Sequence, residues 1–300
     1  MRWPASVTTS RSSLLVVGAG GFVGAACTRA LLAEGHAVFA LEPARPQAVP
    51  HGATLLPGGI TDAAAAMATA RPDCVLNFAA FSTGAVGLAR SGEAAPERAL
   101  EVNALGFHAL LQAAHQAGVR RVLWSSSTVA IGPATHGARE AEDVACAPTN
   151  SYGLSKLLAE QVAAFFRRVH GMDITGIRLP LIFGPGLWYE GAAAAVKRLA
   201  VGQPAAVSAP DQPFDAADVR DVARLFALLV ARPGLAPLYH LAGHTTTWRE
   251  IATLCDTQLL PAPSGTTWPL VSQARLEQDT GFTCAHDLRA TLRALREDCA

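Results

Sequence analysis

The 300-residue sequence is poor in charge, has no excess of either sign and contains no long apolar run. Charged residues make up 16% of the chain, and 24 Lys and Arg balance 24 Asp and Glu. No overall field therefore attracts it to nucleic acid or to an anionic membrane surface. The longest apolar stretches, such as residues 225–231, are far shorter than the roughly 20 residues that span a bilayer. Because 50% of the residues are hydrophobic, a long disordered chain is also excluded, and we expect neither a nucleic-acid nor a membrane partner.

The sequence also lacks the cysteine and histidine spacings of disulfide frameworks and zinc sites. Six cysteines are scattered without a C-x-x-C pair, and His240 and His244 flank Gly243 without sharing a helix face. We therefore expect reduced thiols, a cytoplasmic location and no bound metal. Residues 1–13 contain no apolar signal-peptide core, which predicts a flexible leader rather than a secretion signal.

What the sequence does contain is a regular alternation of short apolar runs and helical stretches. Strands are expected at 14–18, 37–42, 74–80, 120–127 and 173–184, with helices at 28–35, 62–70, 94–116 and 152–171. Such alternation indicates parallel strands with right-handed helical crossovers. The predicted fold class is α/β, with a Rossmann-type doubly wound parallel sheet.

A glycine array follows the first predicted strand. Residues 18–24 are GAGGFVG, placed between a strand and a helix. Glycines permit a tight turn and let backbone amides approach a pyrophosphate at the helix N-terminus. Glu42 ends the next strand, where a carboxylate would bind the adenosine ribose hydroxyls and repel a 2′-phosphate. The array therefore predicts NAD as the cofactor, although Arg45, three residues later, could shift the preference to NADP.

Composition changes after Gly186, where Pro and Gly become frequent and the helical segments shorten. We expect an NAD-binding domain over residues 14–186, to which residues 215–245 return. Residues 187–214 and 246–300 are expected to form a small C-terminal substrate-binding lobe over the carboxyl edge of the sheet.

The spacing of Tyr152 and Lys156 predicts a catalytic pair. Four residues apart, the phenol and the ammonium share one face of a helix. A phenol titrates near 10 when unperturbed, and a neighbouring cation stabilises the phenolate and lowers that pKa. Ser127 ends a strand 25 residues earlier and could orient a substrate oxygen while Tyr152 moves the proton.

Together these motifs resemble an extended short-chain dehydrogenase/reductase of the NAD-dependent epimerase/dehydratase family. The resemblance covers about residues 14 to 290. It is carried by VVGAGGFVG (16–24), RPDCVLNFAA (71–80), EVNALG (101–106), VLWSSSTVAIG (122–132), SYGLSKLLAE (151–160), IRLPLIFGPG (177–186), DAADVRDVA (215–223) and LYHLAG (238–243).

The resemblance implies a set of site residues. Ser127, Tyr152 and Lys156 would be the catalytic triad, and Asn103 resembles the family's structural asparagine. The cofactor site is expected at Gly18, Gly21, Phe22, Val23, Gly24, Glu42, Arg45, Ile60, Phe78, Ala79, Ala80, Asn103, Tyr152, Lys156, Leu179 and Ile182. The substrate site is expected at Phe81, Thr128, Tyr152, Leu181, Trp188 and Tyr189. Trp188 and Tyr189 are included because they start a lid segment and aromatic faces suit sugar rings; ordinary core packing is the alternative.

The resemblance also implies a homodimer, in which helices at 98–116 and 152–169 from two subunits form a four-helix bundle. Alanines on these helices would permit close approach between subunits, or they pack within one subunit. They are Ala109, Ala113, Ala159 and Ala163.

Four positions depart from the family pattern. Gly59 stands where relatives usually place an aspartate that meets the adenine, and Ile131 replaces a common aromatic residue. Leu181 lies where many nucleotide-sugar enzymes carry an asparagine, and Phe214 where they often carry an arginine for the substrate diphosphate. Arginines that could substitute for it, or be merely solvated, are Arg198, Arg220, Arg249 and Arg275.

The predicted function is an NAD-dependent oxidoreductase that acts at a secondary alcohol or ketone of a sugar or sugar-derived substrate. Because the diphosphate anchor is missing, a single oxidation or reduction is favoured over the alternative, a nucleotide-sugar (UDP-sugar) 4-epimerase that retains NAD. A non-catalytic NAD-sensing regulator is a further alternative, against which the intact Ser127, Tyr152 and Lys156 argue.

Overall fold

The computed structural model describes residues 11–84, 86–133, 139–263 and 267–299. The strands alternate with helices along the first two thirds of the chain. The strands are β1 (Ser13–Val17), β2 (Ala37–Leu41), β3 (Thr54–Leu56), β4 (Cys74–Asn77), β5 (Arg121–Ser127), β6 (Arg139–Glu140), β7 (Asp173–Leu179), β8 (Leu181–Phe183), β9 (Ala205–Val207), β10 (Phe214–Asp218), β11 (Leu238–His240), β12 (His244–Thr246), β13 (Leu259–Pro261) and β14 (Leu270–Val271).

The helices lie between the strands in the first part of the chain and cluster towards its end. They are α1 (Phe22–Ala33), α2 (Ala63–Ala70), α3 (Leu88–Ala94), α4 (Pro96–Leu100), α5 (Gly106–Gln116), α6 (Ser151–His170), α7 (Ala192–Ala200), α8 (Val219–Val230), α9 (Trp248–Leu254), α10 (Ala274–Thr280) and α11 (Leu288–Asp298).

Among the described residues, seven strands form one sheet in the order β3-β2-β1-β4-β5-β7-β11. Every neighbouring pair in it is parallel. This confirms the predicted doubly wound α/β fold. The chain turns in opposite directions on the two sides of β1, so the crevice between the ends of β1 and β4 is a topological switch point, where such sheets bind ligands.

The residues of β1 show why the sheet is covered on both faces. Leu14 and Val16 lie in a core that includes helices α1 and α8, whereas Leu15 and Val17 lie in the opposite core with α2, α5 and α6. All four side chains are at most 1% exposed. A strand buried on both faces is a continuous apolar run, as in this sequence, because successive side chains point to opposite faces.

The C-terminal elements extend the first of these cores. Val196 of α7, Ile251 of α9 and Leu295 of α11 belong to the same buried cluster as Leu14. Strands β8, β10 and β12 form a separate three-stranded sheet, and β9 pairs with β13. Residues 215–245 also contribute β11 to the edge of the main sheet. The division into two domains remains a prediction.

Several segments differ from the sequence-based expectation. The strand expected at 173–184 divides into β7 and β8, which lie in different sheets, and the helix expected at 28–35 is α1. The predicted helix over 94–116 is interrupted at Ala95, which is extended (φ −147°, ψ 75°) because the following Pro96 disfavours helical backbone. Pro96 then starts α4, a π-helical turn at Glu101–Leu105 follows, and α5 begins at Gly106. Of the predicted leader, residues 1–10 lie outside the described residues, but Ser13 is already in β1 and pairs with Ala37.

The described part of the chain contains no helix that is long and apolar enough to cross a membrane. It also contains no group of His, Cys, Asp or Glu side chains arranged to hold a metal ion. The six cysteines are all free.

A buried ion pair joins β7 to α6 beneath the carboxyl end of the sheet. The Nε and Nη2 atoms of Arg178 donate to Glu160 Oε1 and Oε2 at 2.9 and 2.7 Å, and Ser126 Oγ donates to Oε1 at 2.6 Å. Arg178 Nη1 lies 3.0 Å from His240 Nε2. Since arginine can only donate, and burial lowers the pKa of His240 to about 3, this imidazole is neutral and accepts.

This pair should stabilise the fold far more than an exposed one. In Arg178→Met, Glu160 keeps a buried charge without its partner, and we expect a loss of about 3–5 kcal/mol in the free energy of unfolding, measured with urea. The control is Arg98→Met, which breaks an exposed pair with Glu101 and should cost at most about 1 kcal/mol. Equal losses in the two variants would contradict this account.

Candidate functional site

The glycine turn packs so closely that side chains are excluded from it. Gly18 has a φ of +81°, and a Cβ there would lie 2.8 Å from the backbone nitrogen of Ala79. A Cβ on Gly24 would lie 2.0 Å from the Gly18 carbonyl oxygen. Helix α1 begins at Phe22, and its N-cap, Gly21, provides no side-chain cap. The first-turn amides of α1 therefore have no capping side chain and can meet an anionic phosphate.

The carboxylate of Glu42 holds this turn to the loop after β2. Its Oε2 accepts from the Gly20 amide at 2.9 Å, and its Oε1 accepts from the amides of Ala44 and Arg45 at 2.9 and 3.0 Å. The side chain is 8% exposed. The ribose contact predicted for Glu42 thus competes with three main-chain contacts, which the sequence did not indicate.

A segment after β8 covers the glycine turn. The Arg45 guanidinium stacks on the Trp188 ring, with its Cζ 3.7 Å from the ring centroid. The rings of Phe22 and Tyr189 meet edge to face with centroids 5.7 Å apart. Arg45 Nη1 and Trp188 Nε1 are buried without a hydrogen-bond partner. Trp188 and Tyr189, which were predicted to contact the substrate, thus also lie beside the glycine turn.

The three predicted catalytic residues come together at the ends of β5 and α6. Ser127 is the last residue of β5, and α6 starts directly after its N-cap Asn150, so that Tyr152 and Lys156 lie in its first two turns. The Asn150 side chain caps the helix by accepting from the Gly153 amide at 2.8 Å. Tyr152 is 8% exposed and Lys156 4%. The cap and the strand end therefore hold all three side chains on ordered backbone.

Burial has the largest effect on the pKa values of Tyr152 and Lys156. Lys156 Nζ donates to the Ser125 carbonyl at 2.9 Å and lies 5.9 Å from the Tyr152 ring centroid. Burial lowers the pKa of Lys156 to about 8, against the opposing charge of Glu160. Burial also raises the pKa of Tyr152, although a hydrogen bond with Ser127 opposes this. The expected lowering of the Tyr152 pKa by its lysine neighbour is therefore not found in the chain alone, which holds the phenol neutral.

One cavity of about 670 Å³ joins the glycine turn, these three side chains and residues of the C-terminal elements. This volume is in the range of small-molecule and cofactor sites. The predicted residues that line it are Gly21, Phe22, Val23, Gly24, Phe78, Ala80, Ser127, Thr128, Tyr152, Lys156, Leu179, Leu181, Ile182, Trp188 and Tyr189.

Seven predicted residues are not in the cavity lining. Asn103 accepts from the Phe81 amide at 2.7 Å and donates to Ser155 Oγ at 2.9 Å, so both ends of its side-chain amide are engaged in joining the loop after β4 to α6. Ile60 packs against Gly106, where a Cβ would lie 2.9 Å from its Cγ2. The seven are Gly18, Glu42, Arg45, Ile60, Ala79, Phe81 and Asn103.

Sequence reasoning missed part of the cavity lining. Arg90 of α3, Trp248 of α9, and Trp268 belong to it, together with Val86. These residues come from segments far apart in the chain and carry no motif. The available signal was the placement of two tryptophans in the predicted lobe of a chain with only 6% aromatic residues.

The residues present fit a dinucleotide. The glycine turn supplies uncapped amides at a helix N-terminus, and a side chain at Gly18 or Gly24 would clash with its backbone. Leu179 and Ile182 place apolar surface in the same cavity as Tyr152 and Lys156. Such a crevice suits a pyrophosphate at one end and a flat ring near the phenol at the other.

Comparison with known proteins also indicates a family that uses a dinucleotide. The model of the NAD dependent epimerase/dehydratase family matches residues 14–240. The chain is 30% identical over 176 residues to a UDP-glucose 4-epimerase of Lactobacillus helveticus, covering 55% of this chain and 50% of that protein. It is 33% identical over 191 residues to a 3 beta-hydroxysteroid dehydrogenase/Delta 5-->4-isomerase of Mycobacterium tuberculosis, covering 61% and 50%. The chain thus spans about half the length of these relatives.

A solved structure extends the similarity across the fold. The UDP-glucose 4-epimerase of Thermus thermophilus, in complex with NAD, superposes with a TM-score of 0.83 at 25% identity. The match covers 95% of this chain and 98% of that one. The C-terminal elements therefore belong to the shared fold as well as the sheet.

The buried ammonium should leave a pH signature in stability. Because the pKa of Lys156 is about 8 when folded and 10.5 ordinarily, the unfolded chain binds more protons between these values. Its contribution to stability therefore rises with pH across this window and is lost as the pH falls, by about 3 kcal/mol in all. Between pH 8 and 10.5 we expect the free energy of unfolding to rise more for the wild type than for Lys156→Met.

The matched control is Lys197→Met, which removes the other lysine of the chain. Lys197 Nζ donates to the Leu187 carbonyl outside the cavity lining. Urea unfolding of the three proteins at several pH values measures the difference, and parallel curves for the wild type and Lys156→Met would contradict the assignment.

Proposed function

Because this chain belongs to the NAD-dependent epimerase/dehydratase family, we propose that it is a dehydrogenase/reductase that transfers a hydride at a secondary alcohol or ketone. The observation that carries the proposal is the single cavity in which Ser127, Tyr152 and Lys156 lie beside the glycine turn. NAD, when bound, supplies or accepts the hydride at its nicotinamide ring.

Each of the three residues has a separate role. In reduction the neutral Tyr152 gives its proton to the carbonyl oxygen as the carbon receives the hydride, and in oxidation it takes that proton back. Ser127, which lines the same cavity as Tyr152, orients the same oxygen. Lys156, anchored on the Ser125 carbonyl, would hold the nicotinamide ribose and would place positive charge near the phenolate.

The second candidate is a nucleotide-sugar 4-epimerase that retains its NAD. It is favoured by the names of the relatives from Lactobacillus helveticus and Thermus thermophilus. Phe214, buried at 1% exposure, argues against it because it leaves no cation where a diphosphate anchor is expected. Release of NADH into solution separates the two, since an epimerase returns the hydride to its own substrate.

A homodimer is also proposed, through α5 and α6. An apolar stripe runs along α6 and is exposed, with Leu154 at 43%, Leu158 at 40%, Phe165 at 41% and Val169 at 53%. Leu105, at the end of the π-helical turn, is 67% exposed. A contiguous apolar patch of this kind marks an association surface.

The alanines expected at the interface divide between two environments. Ala113, Ala159 and Ala163 are buried in the subunit's own core, whereas Ala109 is exposed. Packing within one subunit, the alternative interpretation of these alanines, thus holds for three of the four. The exposed side chains of Leu154, Leu158 and Phe165 are therefore the ones proposed to contact the partner subunit.

Replacement of the phenol tests the proposed chemistry. Tyr152→Phe keeps the ring and removes the proton donor, so we expect NADH formation or consumption to fall by about 10²- to 10⁴-fold. Binding of NAD, measured by calorimetry, should change little. Turnover equal to that of the wild type would refute the acid/base role of Tyr152.

A charge on the stripe tests the dimer. Leu158→Glu should convert a dimer to a monomer in sedimentation equilibrium, because dimerisation would bury an unpaired carboxylate. The control is Leu260→Glu, which changes a leucine of 47% exposure on β13, outside α6. A monomeric wild type, or a Leu158→Glu variant that remains dimeric, would contradict the proposed interface.

A further inference from the structure

The end of the cavity beyond Tyr152 is walled by apolar side chains of the C-terminal lobe. Trp248 of α9 and Trp268 face it together with Val207 of β9 and Pro263. Aromatic rings offer large apolar faces, and the uncharged hydroxyl of Ser208, next to Val207, is a polar group that also lines the cavity. With the glycine turn assigned to the cofactor and Tyr152 to the reacting carbon, this part of the lining is left for the remote part of a substrate.

The wall is fixed to the protein core. Phe214 is 1% exposed and packs against both tryptophans, with ring centroids 4.8 Å from Trp248 and 5.5 Å from Trp268. Trp248 itself is only 5% exposed. Because close-packed cores do not readily rearrange, the wall cannot easily turn a polar group towards a ligand.

The arginines that could replace Phe214 as a diphosphate anchor are engaged elsewhere, and none of them lines the cavity. Each is tied to a carboxylate or a carbonyl. Arg249 Nη2 bonds Asp211 Oδ2 at 2.8 Å, Arg220 Nη2 bonds Asp218 Oδ2 at 2.6 Å, Arg198 Nε bonds the Pro204 carbonyl at 2.9 Å, and Arg275 Nε lies 3.6 Å from Glu142 Oε2.

Two cations remain in the lining formed by the described residues. Lys156 donates to the Ser125 carbonyl beside the reacting centre. Arg90 is exposed on α3, and the carboxylate of Glu190 lines the same cavity. A diphosphate needs several charge-assisted hydrogen bonds to offset its loss of hydration, and the side chains of Trp248, Trp268, Val207 and Pro263 offer none.

We propose that the substrate's remote body is an apolar ring system, and that Trp248 and Trp268 select it in place of a nucleoside diphosphate. This inference rests on the proposed function, since it assumes that the reacting carbon lies at Tyr152. It replaces the expected sugar or nucleotide-sugar with a hydrophobic cyclic secondary alcohol or the matching ketone.

The test compares binding of four probes to full-length Tyr152→Phe loaded with NADH, in which turnover is blocked. The probes are 1-tetralone, a bicyclic ketone, and UDP-glucose, UDP and a free hexuronate. Calorimetry should show 1-tetralone binding most tightly. Trp268→Ala in the same background should weaken that binding about tenfold, because one aromatic face is lost. Leu260→Ala, which removes an exposed apolar side chain outside the lining, should leave it unchanged.

Tighter binding of UDP, UDP-glucose or the hexuronate than of 1-tetralone would overturn the inference. So would binding of no probe, or equal affinity for 1-tetralone in the Trp268→Ala and Leu260→Ala proteins. Oxidation of NADH by the wild type with 1-tetralone tests the chemistry separately. If the ketone binds but no NADH is consumed, the proposed function fails while the apolar site stands.

Discussion

The chemistry of the site depends on the burial of a phenol and an ammonium at the carboxyl end of the sheet. Tyr152 and Lys156 are both less than a tenth exposed, and each therefore favours its neutral form. A chain that only had to be stable would gain little from this arrangement. Beside a crevice that fits a dinucleotide, however, the same burial places a neutral phenol and a tunable charge where the proposed hydride transfer would occur.

Neighbouring backbone and side chains keep the pair in place. The Ser125 carbonyl receives the ammonium, and the Glu160–Arg178 ion pair closes the space beneath it. Because the Glu160 charge raises the pKa of Lys156 against burial, the ion pair also bears on the ionisation of the site. Stability and chemistry are thus coupled through one buried network, whose geometry depends on the register of β5 and β7.

Most of the fold, and the cluster of Ser127, Tyr152 and Lys156, could be predicted from local sequence patterns. Short continuous apolar runs and glycines at fixed offsets are short-range features, so the sheet, the glycine turn and the helix face of Tyr152 and Lys156 were predictable. The contacts of Glu42 with the Gly20 amide and of Trp188 with Arg45 were not predictable, because each joins segments that are separate in the chain. The cavity wall formed by Trp248 and Trp268 was hidden for the same reason, since Phe214, in β10, meets Trp248 only after folding.

Titration of the phenol by ultraviolet difference spectroscopy tests the central claim most directly. The chain has three tyrosines, and burial raises the pKa of Tyr189 and Tyr239 to about 12, so Tyr152 can be isolated by subtracting Tyr152→Phe. Without cofactor we expect no Tyr152 phenolate below pH of about 10, the ordinary value. Saturating NAD⁺ should bring out a phenolate at lower pH, because it adds positive charge beside the ring. A Tyr152 that ionises near its ordinary pKa in the free protein, and does not respond to NAD⁺, would contradict the account.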